Sequence, residues 1–360
     1  MTRMFNKGLL IALCIALAGC NTQSSNDTRP EVAEPSTSGD RNASFGAVSL
    51  DEPPLVEPET DVSATTDWPV VTVASGTASI SCDLDYANAG DGAALVNLEF
   101  FSVLDAMSDC QQTGVVRLRY SGKIASDFVA LTERVSAMAD RMEIGNRVLD
   151  MDSSGGQVEY AMRAGDGIGE GGWTIWVRED AICHSSCVLV LAAGDNRLIS
   201  GKVGVHRIIR LQSEASSRAE LNRELRDVHG KIEEYLSRNG VAVVVADIMM
   251  TVPNRSLRLL TVEELEQFGL GGVNAVQDDL DRIMLARKCG EDFVRRRDNF
   301  FRSFDRECQL QDRDVEAIGL CGLELRESFG FPDNRCRADS PLSEYDERAV
   351  AEPVKPPATG

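Results

Sequence analysis

Histidine and positive charge are scarce in this sequence, and each scarcity argues against a class of function. Only three of the 360 residues are histidine, and most of the cysteines lack close paired spacing, so the residues do not indicate a zinc site. Lysine and arginine total 37 against 57 acidic residues, which gives a net charge of −20. Nucleic-acid binding needs clustered basic side chains. We therefore expect no metal, no cofactor and no nucleic-acid partner.

Proline is absent from residues 70–252 and frequent at both ends of the chain. Six of the twelve prolines fall between residues 21 and 69, and four follow residue 340. Those flanks are rich in polar residues and show no apolar periodicity, which is typical of disordered segments. The pattern predicts a disordered tether over 21–68 and a disordered acidic tail over 337–360.

Long apolar runs are also scarce, and one lies near the start. The run from Leu9 to Ala18 follows Arg3 and Lys7, a pattern that predicts a secretory signal over 1–20. The run is too short for a stable transmembrane helix. Its end, Leu-Ala-Gly-Cys20, resembles the cleavage box of bacterial lipoproteins. An ordinary cleaved signal with an unrelated cysteine is the alternative.

The lipoprotein resemblance implies a location. It implies that Cys20 is lipidated, with palmitate as the acyl group, and that the chain is anchored to a membrane and faces the periplasm. Asn21 follows the cysteine. In lipoproteins generally, that residue favours the outer membrane over the inner one.

Eight cysteines remain beyond the signal, and an even number in an exported chain predicts disulfides. We expect Cys82 to pair with Cys110, and Cys183 with Cys187. The other four lie in a charged segment of helical pattern, 278–336, which predicts a small Cys-rich appendage. These four, whose pairing the spacing leaves open, are Cys289, Cys308, Cys321 and Cys336.

Strand and helix patterns alternate over residues 69–277, which predicts an α/β domain. Alternation of this kind produces a parallel sheet with right-handed crossover helices, and functional loops gather at the carboxyl ends of its strands. The predicted strands are 115–120, 148–151, 173–182 and 202–206, after one or two edge strands within 68–82. The predicted helices are 93–107, 126–142, 157–169, 186–193, 216–238, 241–250 and 261–268, the last with a capping box of Thr261 and Glu264.

Three segments that follow predicted strands carry the residues of a serine hydrolase. Ser185 precedes an apolar helix, where backbone N–H groups and the helix dipole favour an oxyanion. The N–H groups of Gly156 and Ser186 are the predicted oxyanion hole. His206 ends a strand and is the predicted base that takes the serine proton. The alternative for each residue is structural: the serines cap a helix, the glycines form a tight turn and His206 is a buried strand-end histidine.

These residues resemble the proteolytic subunit of the Clp protease, within the Clp/crotonase fold. That family has a Ser-Pro-Gly-Gly turn, here Ser153-Ser-Gly-Gly156, and a nucleophilic serine before a helix that ends in Ala-Gly. Ser185 follows Gly156 by 29 positions, which is the spacing of the family, and a hydrophobic strand then ends in His206. The segment 260–270 resembles a later Leu-Ser-x-x-Glu-Ala-x-x-x-Gly-Leu motif. Exported Clp-like bacterial proteins, with cysteines beside the serine and a Gly-x-His-Arg end, are still more similar.

The resemblance covers about residues 110–275 and implies a Clp/crotonase-like parallel sheet with crossover helices. It also implies a serine peptidase that works without an ATPase on short or unfolded peptides, or on protein substrates. Clp-fold proteins often form rings or trimers, so a homo-oligomer is compatible with it.

One departure from the family concerns the acid of the catalytic triad. The segment that matches its position, 254–260, contains no acidic residue. Asn254 or Ser256 could orient the imidazole instead, and Asp247 is a more distant candidate. The missing acid keeps two other hypotheses open: an inactive envelope lipoprotein that binds or scaffolds other molecules, and a Ser–Lys dyad with Lys231 as the base.

Overall fold

The computed structural model describes residues 61–208, 213–253, 255–309, 315–343 and 345–346, all within one structural unit, residues 45–360. The strands are β1 (Gly76–Ser81), β2 (Ala93–Ala94), β3 (Val115–Gly122), β4 (Asn146–Asp152), β5 (Trp173–Val177), β6 (Ile182–His184), β7 (Asn196–Ile199), β8 (Lys202–Val205), β9 (Arg258–Leu259) and β10 (Gly272–Val273). The helices are α1 (Tyr86–Ala89), α2 (Phe100–Met107), α3 (Cys110–Thr113), α4 (Ser126–Arg141), α5 (Val158–Glu170), α6 (Cys187–Ala193), α7 (Arg218–Arg238), α8 (Val244–Thr251), α9 (Val262–Gln267), α10 (Ala275–Cys289), α11 (Glu291–Glu307) and α12 (Val315–Ser328).

The strands form two sheets. The larger has the order β10-β7-β5-β4-β3-β1-β2, and its central strands β3, β4, β5 and β7 run parallel. The smaller has the order β6-β8-β9, with β6 and β8 parallel. Helices connect the parallel strands, as crossovers require. The predicted α/β domain with a parallel sheet and crossover helices is confirmed.

The two faces of the large sheet differ in chemistry because strand residues alternate. Leu118 and Leu149 belong to the hydrophobic core. The neighbouring Arg117 and Asp150 are also fully buried, and Asp150 receives ion pairs from Arg117, Arg119 and Arg178. Arg117 also donates to the carbonyl oxygens of Asp83 and Gly90. The loop before β2 therefore covers the polar face, and the Cys82–Cys110 disulfide holds the start of that loop.

Helix α6, which follows Ser185 and Ser186, lies in the centre of the core with all seven residues buried. The hydroxyl of Tyr235, from α7, donates to the carbonyl oxygen of Leu189 at 2.9 Å. At the other end, the buried guanidinium of Arg197 donates to the carbonyl oxygens of Leu191 and Ala192. The Arg197 bonds reach carbonyl groups of the last turn, which a helix end commonly leaves without intrahelical partners.

The C-terminal appendage consists of α10, α11, α12 and the segment that follows them. Its own small core is built around Phe293, Phe300 and Phe331. The four cysteines pair as Cys289–Cys336 and Cys308–Cys321. The predicted Cys-rich, mostly helical appendage is confirmed, and the structure supplies the pairing that the sequence left open.

Two predicted elements were wrong in extent. The predicted strand over 173–182 is interrupted, because the N–H of Ala181 bonds to the carbonyl of Arg178 in a turn between β5 and β6. The predicted helix over 93–107 begins only at Phe100, because Leu95 donates to the carbonyl of Ala78 and extends the pairing of β2 with β1. The described helices include none that is long and apolar enough to cross a bilayer.

Candidate active site around Ser185

Ser185 lies between β6 and α6 in a backbone conformation that is rare for serine. Its φ is +57°, in the left-handed region that mainly glycine adopts. Its N–H donates to the carbonyl of Gly204 on β8 at 2.8 Å, and its carbonyl accepts the N–H of Val188 in the first turn of α6. The side chain is fully buried, and its hydroxyl has no hydrogen-bond partner among the described residues. A sharp strand-to-helix turn thus holds an unpaired hydroxyl inside the molecule.

The glycine turn after β4 is joined to the serine segment by backbone hydrogen bonds. The N–H of Ser153 donates to the carbonyl of Ile182, and the N–H of His184 donates to the carbonyl of Ser153. Gly155 has a φ of +96°, and a Cβ there would lie 2.7 Å from the Cβ of Ser185. Only glycine permits this approach. The segments that the sequence singled out are brought together.

His206 follows β8 and is almost fully buried, with 2% of its surface exposed. Its ring Nδ1 lies 3.0 Å from the carbonyl oxygen of Arg207. A carbonyl oxygen can only accept a hydrogen bond, so the neutral ring carries its proton on Nδ1 and a lone pair on Nε2. A main-chain carbonyl therefore occupies the ring nitrogen that an acid contacts in a Ser-His-Asp triad.

Three residues were considered as substitutes for the missing acid, and none of the described ones forms a hydrogen bond with His206. Asn254 lies outside the described residues. Ser256 is exposed. Asp247 instead accepts a bond from Nε2 of His229 at 3.1 Å, so the suggestion that Asp247 orients His206 was wrong. Lys231 is exposed on α7, and no described residue bonds to the Ser185 hydroxyl, so the dyad with Lys231 is not formed in this structure.

His184 is a second imidazole at the site, next to His206. It is opposite Gly204 in the parallel pairing of β6 with β8. A Cβ on Gly204 would lie 3.1 Å from Cδ2 of His184, so the glycine makes room for the ring. Burial, and then the neighbouring His206, lower the pKa of His184. Its Nε2 is buried and has no hydrogen-bond partner in the part of the chain that the structure describes. Gly204 was the feature of the sequence that could have indicated this position for His184. It lies two residues before His206 and therefore on the same face of this extended segment.

The two predicted oxyanion-hole groups are in different states. The N–H of Ser186 makes no hydrogen bond to the described residues. The N–H of Gly156 donates to the side-chain oxygen of Ser186 at 2.7 Å. The Ser186 side chain is fully buried. One predicted donor is thus free, and the other is bonded to a neighbouring hydroxyl.

Asp152, the last residue of β4, is a further site residue that the sequence did not single out as functional. Its carboxylate accepts bonds from the Ile182 N–H, the Ser121 hydroxyl and the Arg119 guanidinium. It thus joins the end of β4 to the start of β6, two residues before His184. Its position at the end of a strand, beside Ser153, was the available signal.

The predicted disulfides of the sheet domain are both present, and one borders the site. Cys183 and Cys187, on either side of His184-Ser-Ser186, are bonded with their Cα atoms 5.2 Å apart. Cys82 and Cys110 form the other pair. Cys20, the predicted lipidation site, lies outside the described residues.

Groups of potential metal ligands in the described parts of the chain lie away from Ser185. One combines Asp339 with Cys289 and Cys336, whose sulfur atoms are already joined to each other. The other combines His229, Glu233 and Asp247, which form ion pairs at the surface. Pockets of about 360 and 460 Å³ are found on the appendage, and neither is lined by Ser185 or His206. In this structure Ser185 is fully buried and His206 almost fully.

Comparison with known proteins gives similarity to solved structures only. No family model matches the chain, and no curated protein does. The 1510-N membrane-bound stomatin-specific protease, as a serine-to-alanine mutant, aligns with 16% identity and a TM-score of 0.36, over 45% of this chain and 81% of its own. A lysine-to-alanine mutant of 1510-N in complex with a substrate peptide aligns with 17% identity and a TM-score of 0.35, over 42% and 70%.

Proposed function

We propose that this protein is a Clp-like serine hydrolase, and specifically a peptidase that works without ATP on peptides or unfolded proteins. The observation that carries the proposal is the Ser185 hydroxyl. It is fully buried, has no partner among the described residues and lies on a left-handed turn between a strand and a helix. A buried polar group without a partner costs free energy, and such strain accumulates at functional sites. The N-cap residue of α6 is Ser186, and the Ser185 hydroxyl makes no capping bond among the described residues.

The proposed chemistry assigns one role to each group. The Ser185 oxygen attacks the substrate carbonyl as its proton moves to Nε2 of His206, whose lone pair is available. The N–H groups of Ser186 and Gly156 stabilise the negative oxygen. The His206 proton then passes to the leaving amine, and water hydrolyses the acyl-enzyme with His206 again as the base. The Arg207 carbonyl orients His206 and partly compensates the positive charge that forms on the ring.

A second candidate is a catalytically inactive module that binds or scaffolds other envelope components. Two observations favour it: Ser185 and His206 are not hydrogen-bonded to each other, and the neutral carbonyl of Arg207 replaces the triad acid. A carbonyl stabilises an imidazolium less than a carboxylate does. The two candidates therefore differ in whether the Ser185 hydroxyl reacts.

Labelling with a fluorophosphonate separates them, because this probe reacts only with activated serines. We expect the disulfide-intact protein to be labelled, Ser185→Ala to lose all labelling, and His206→Gln to slow labelling by at least about a hundredfold, the lower range of general-base contributions. Ser200→Ala removes a hydroxyl outside the site and should be labelled like the parent. Absence of labelling in the parent, with circular dichroism showing a folded chain, would favour the inactive module.

We also propose that Cys20 is lipidated and anchors the protein to the periplasmic side of a bacterial membrane, the outer membrane in preference to the inner. Support comes from the signal pattern and the Leu-Ala-Gly-Cys20 box. In fractionated cells the parent protein should be found with the membranes, and its N-terminal peptide should carry the mass of acyl chains. Cys20→Ser should shift the protein to the soluble or uncleaved fraction. Membrane association that survives Cys20→Ser would contradict the anchor.

A further inference from the structure

The Ser186 side chain occupies the position where the proposed reaction needs a substrate oxygen. Its hydroxyl oxygen lies 2.7 Å from the Gly156 nitrogen and accepts that N–H. Donors of an oxyanion hole lie about 2.7–3.1 Å from the oxygen that they stabilise. The Ser186 hydroxyl oxygen therefore lies at the distance from the Gly156 nitrogen that an oxyanion would have.

The direction of the Gly156 N–H is fixed by the bonds of its neighbours. The Gly155 N–H donates to the Ser153 hydroxyl at 3.1 Å, and the Gly155 carbonyl accepts the Ile124 N–H. On the other side, the Gln157 N–H donates to the Ile124 carbonyl. The peptide group cannot turn to find another acceptor, whereas the Ser186 hydroxyl can leave by rotation about one side-chain bond.

An N–H group has one hydrogen, so two oxygen atoms can bind it only by sharing that hydrogen at a loss to both. A substrate carbonyl and the Ser186 hydroxyl therefore compete for Gly156. The Ser186 N–H has no such competitor among the described residues.

We propose that Ser186 gates the oxyanion hole: its side chain occupies the Gly156 N–H at rest and must rotate away before the hole can hold a substrate oxygen. This inference rests on the proposed function and adds to it an inhibitory role for the Ser186 hydroxyl beside the catalytic role of its backbone N–H. The bound state then requires a strong acceptor, a peptide carbonyl or phosphonyl oxygen, to replace the hydroxyl. A serine at this position lowers the resting reactivity of Ser185.

The test compares Ser186→Ala with Ser153→Ala by the rate of fluorophosphonate labelling of the full, disulfide-intact chain. Ser186→Ala keeps the backbone donor and removes the competing oxygen. We expect it to be labelled about fivefold faster than the parent, the ratio expected when one hydrogen bond of ordinary net strength no longer has to be broken. Ser153→Ala removes a buried hydroxyl from the same turn but leaves the Gly156 N–H bonded to Ser186. It should not be labelled faster.

A spectroscopic measurement tests the hydrogen bond without any need for activity. Gly–Gly pairs occur at 155–156, 171–172 and 271–272. Labelling glycine with ¹³C at the carbonyl and with ¹⁵N limits a carbonyl-correlated amide spectrum to the second glycine of each pair. The Gly156 amide proton should shift upfield and exchange faster in Ser186→Ala but not in Ser153→Ala, and the other two signals serve as internal references.

The outcomes distinguish this inference from the proposed function. Faster labelling with a shifted Gly156 signal supports both. Labelling that is unchanged or slower in Ser186→Ala overturns the gate but keeps the activated serine, and slower labelling would make the hydroxyl a donor to the oxyanion. If neither the parent nor Ser186→Ala is labelled, the proposed function is overturned, and the gate with it.

Discussion

At the scale of single residues, the orientation of His206 and the backbone conformation of Ser185 are set by neighbouring segments of the chain. The His206 ring is set by one backbone carbonyl, and the left-handed turn at Ser185 by the segments on either side. The glycines of the neighbouring turn are required for close approach as much as for backbone freedom. Gly156 shows this most clearly, because its backbone lies against Ile124 in a parallel bridge.

Gly156→Ala should destabilise the protein by about 2–4 kcal/mol, in the range of overpacked buried sites. A Cβ there would lie 2.1 Å from the Ile124 carbonyl oxygen and 2.5 Å from its nitrogen, and a backbone cannot move aside as a side chain can. Urea unfolding of the variant and of Gly145→Ala measures the effect. Gly145 has open space around its Cβ position, so its substitution should be nearly neutral. Equal stability of the two variants would contradict this packing.

At the scale of elements, the sequence predicts what local patterns encode. The helices over 126–141 and 218–238 follow their apolar spacing, and α9 has the predicted capping box. The parallel strands are predicted from the same alternation. The two serines and the glycine turn were identified from order and spacing, without knowledge of how their side chains would bond to each other.

What the sequence could not give depends on contacts between distant segments. The pairing of the last four cysteines is one example, since Cys289 bonds to a residue 47 positions away. The place of His184 beside His206 depends on the register of β6 against β8, which local patterns do not encode. The bond from Gly156 to Ser186 depends on one side-chain rotamer.

The disulfides should contribute unequally to stability, because a longer closed loop restricts the unfolded chain more. On the chain-entropy relation, the Cys289–Cys336 bond contributes about 4 kcal/mol and the Cys183–Cys187 bond about 2 kcal/mol. The double alanine variants, compared by urea unfolding, should rank in that order. The Cys183/Cys187 variant should instead lose fluorophosphonate labelling more strongly, since its loop carries Ser185. A larger stability loss at the short loop would mean that strain or packing, and not loop closure, decides the ranking.

At the scale of the whole molecule, the segment that joins the sheet domain to the appendage contacts Asp195, whose surroundings disfavour a charged carboxylate. Asp195 precedes β7, and its carbonyl oxygen accepts the N–H of Asn274, which caps α10. Burial, and then the charge of Asp281, raise the pKa of Asp195 from 3.8 to about 6, although Arg197 opposes the shift. The charged form is therefore disfavoured in the folded protein.

The sign of the pH effect follows from this shift. Between pH 3.8 and about 6 the folded protein holds a proton on Asp195 that the unfolded chain has released. The free energy of unfolding should therefore fall as the pH rises through that window. Allowing for solvent screening of this half-buried group, the loss is of order 1 kcal/mol. Asp195→Asn should remove it and be more stable than the parent at pH 7.

Asp279→Asn removes the same charge from an exposed position on α10 and is the matched control. The quantity to compare is the slope of unfolding free energy against pH for the parent and both variants. Only Asp195→Asn should flatten the slope between pH 4 and 6. An equal change in both variants would assign the effect to net charge.

The anchoring of α6 by Tyr235 and Arg197 limits how a substrate can reach the buried Ser185. The guanidinium of Arg197 also reaches the carbonyl oxygens of Asn239 and Gly269, so the far end of the helix is tied to segments on both sides of α8. A helix held in this way cannot slide or tilt to admit a substrate without breaking several buried bonds at once. Ser185, which lies just before α6, therefore stays in place. A substrate can reach its buried hydroxyl only when the strands and loops that lie over it are displaced.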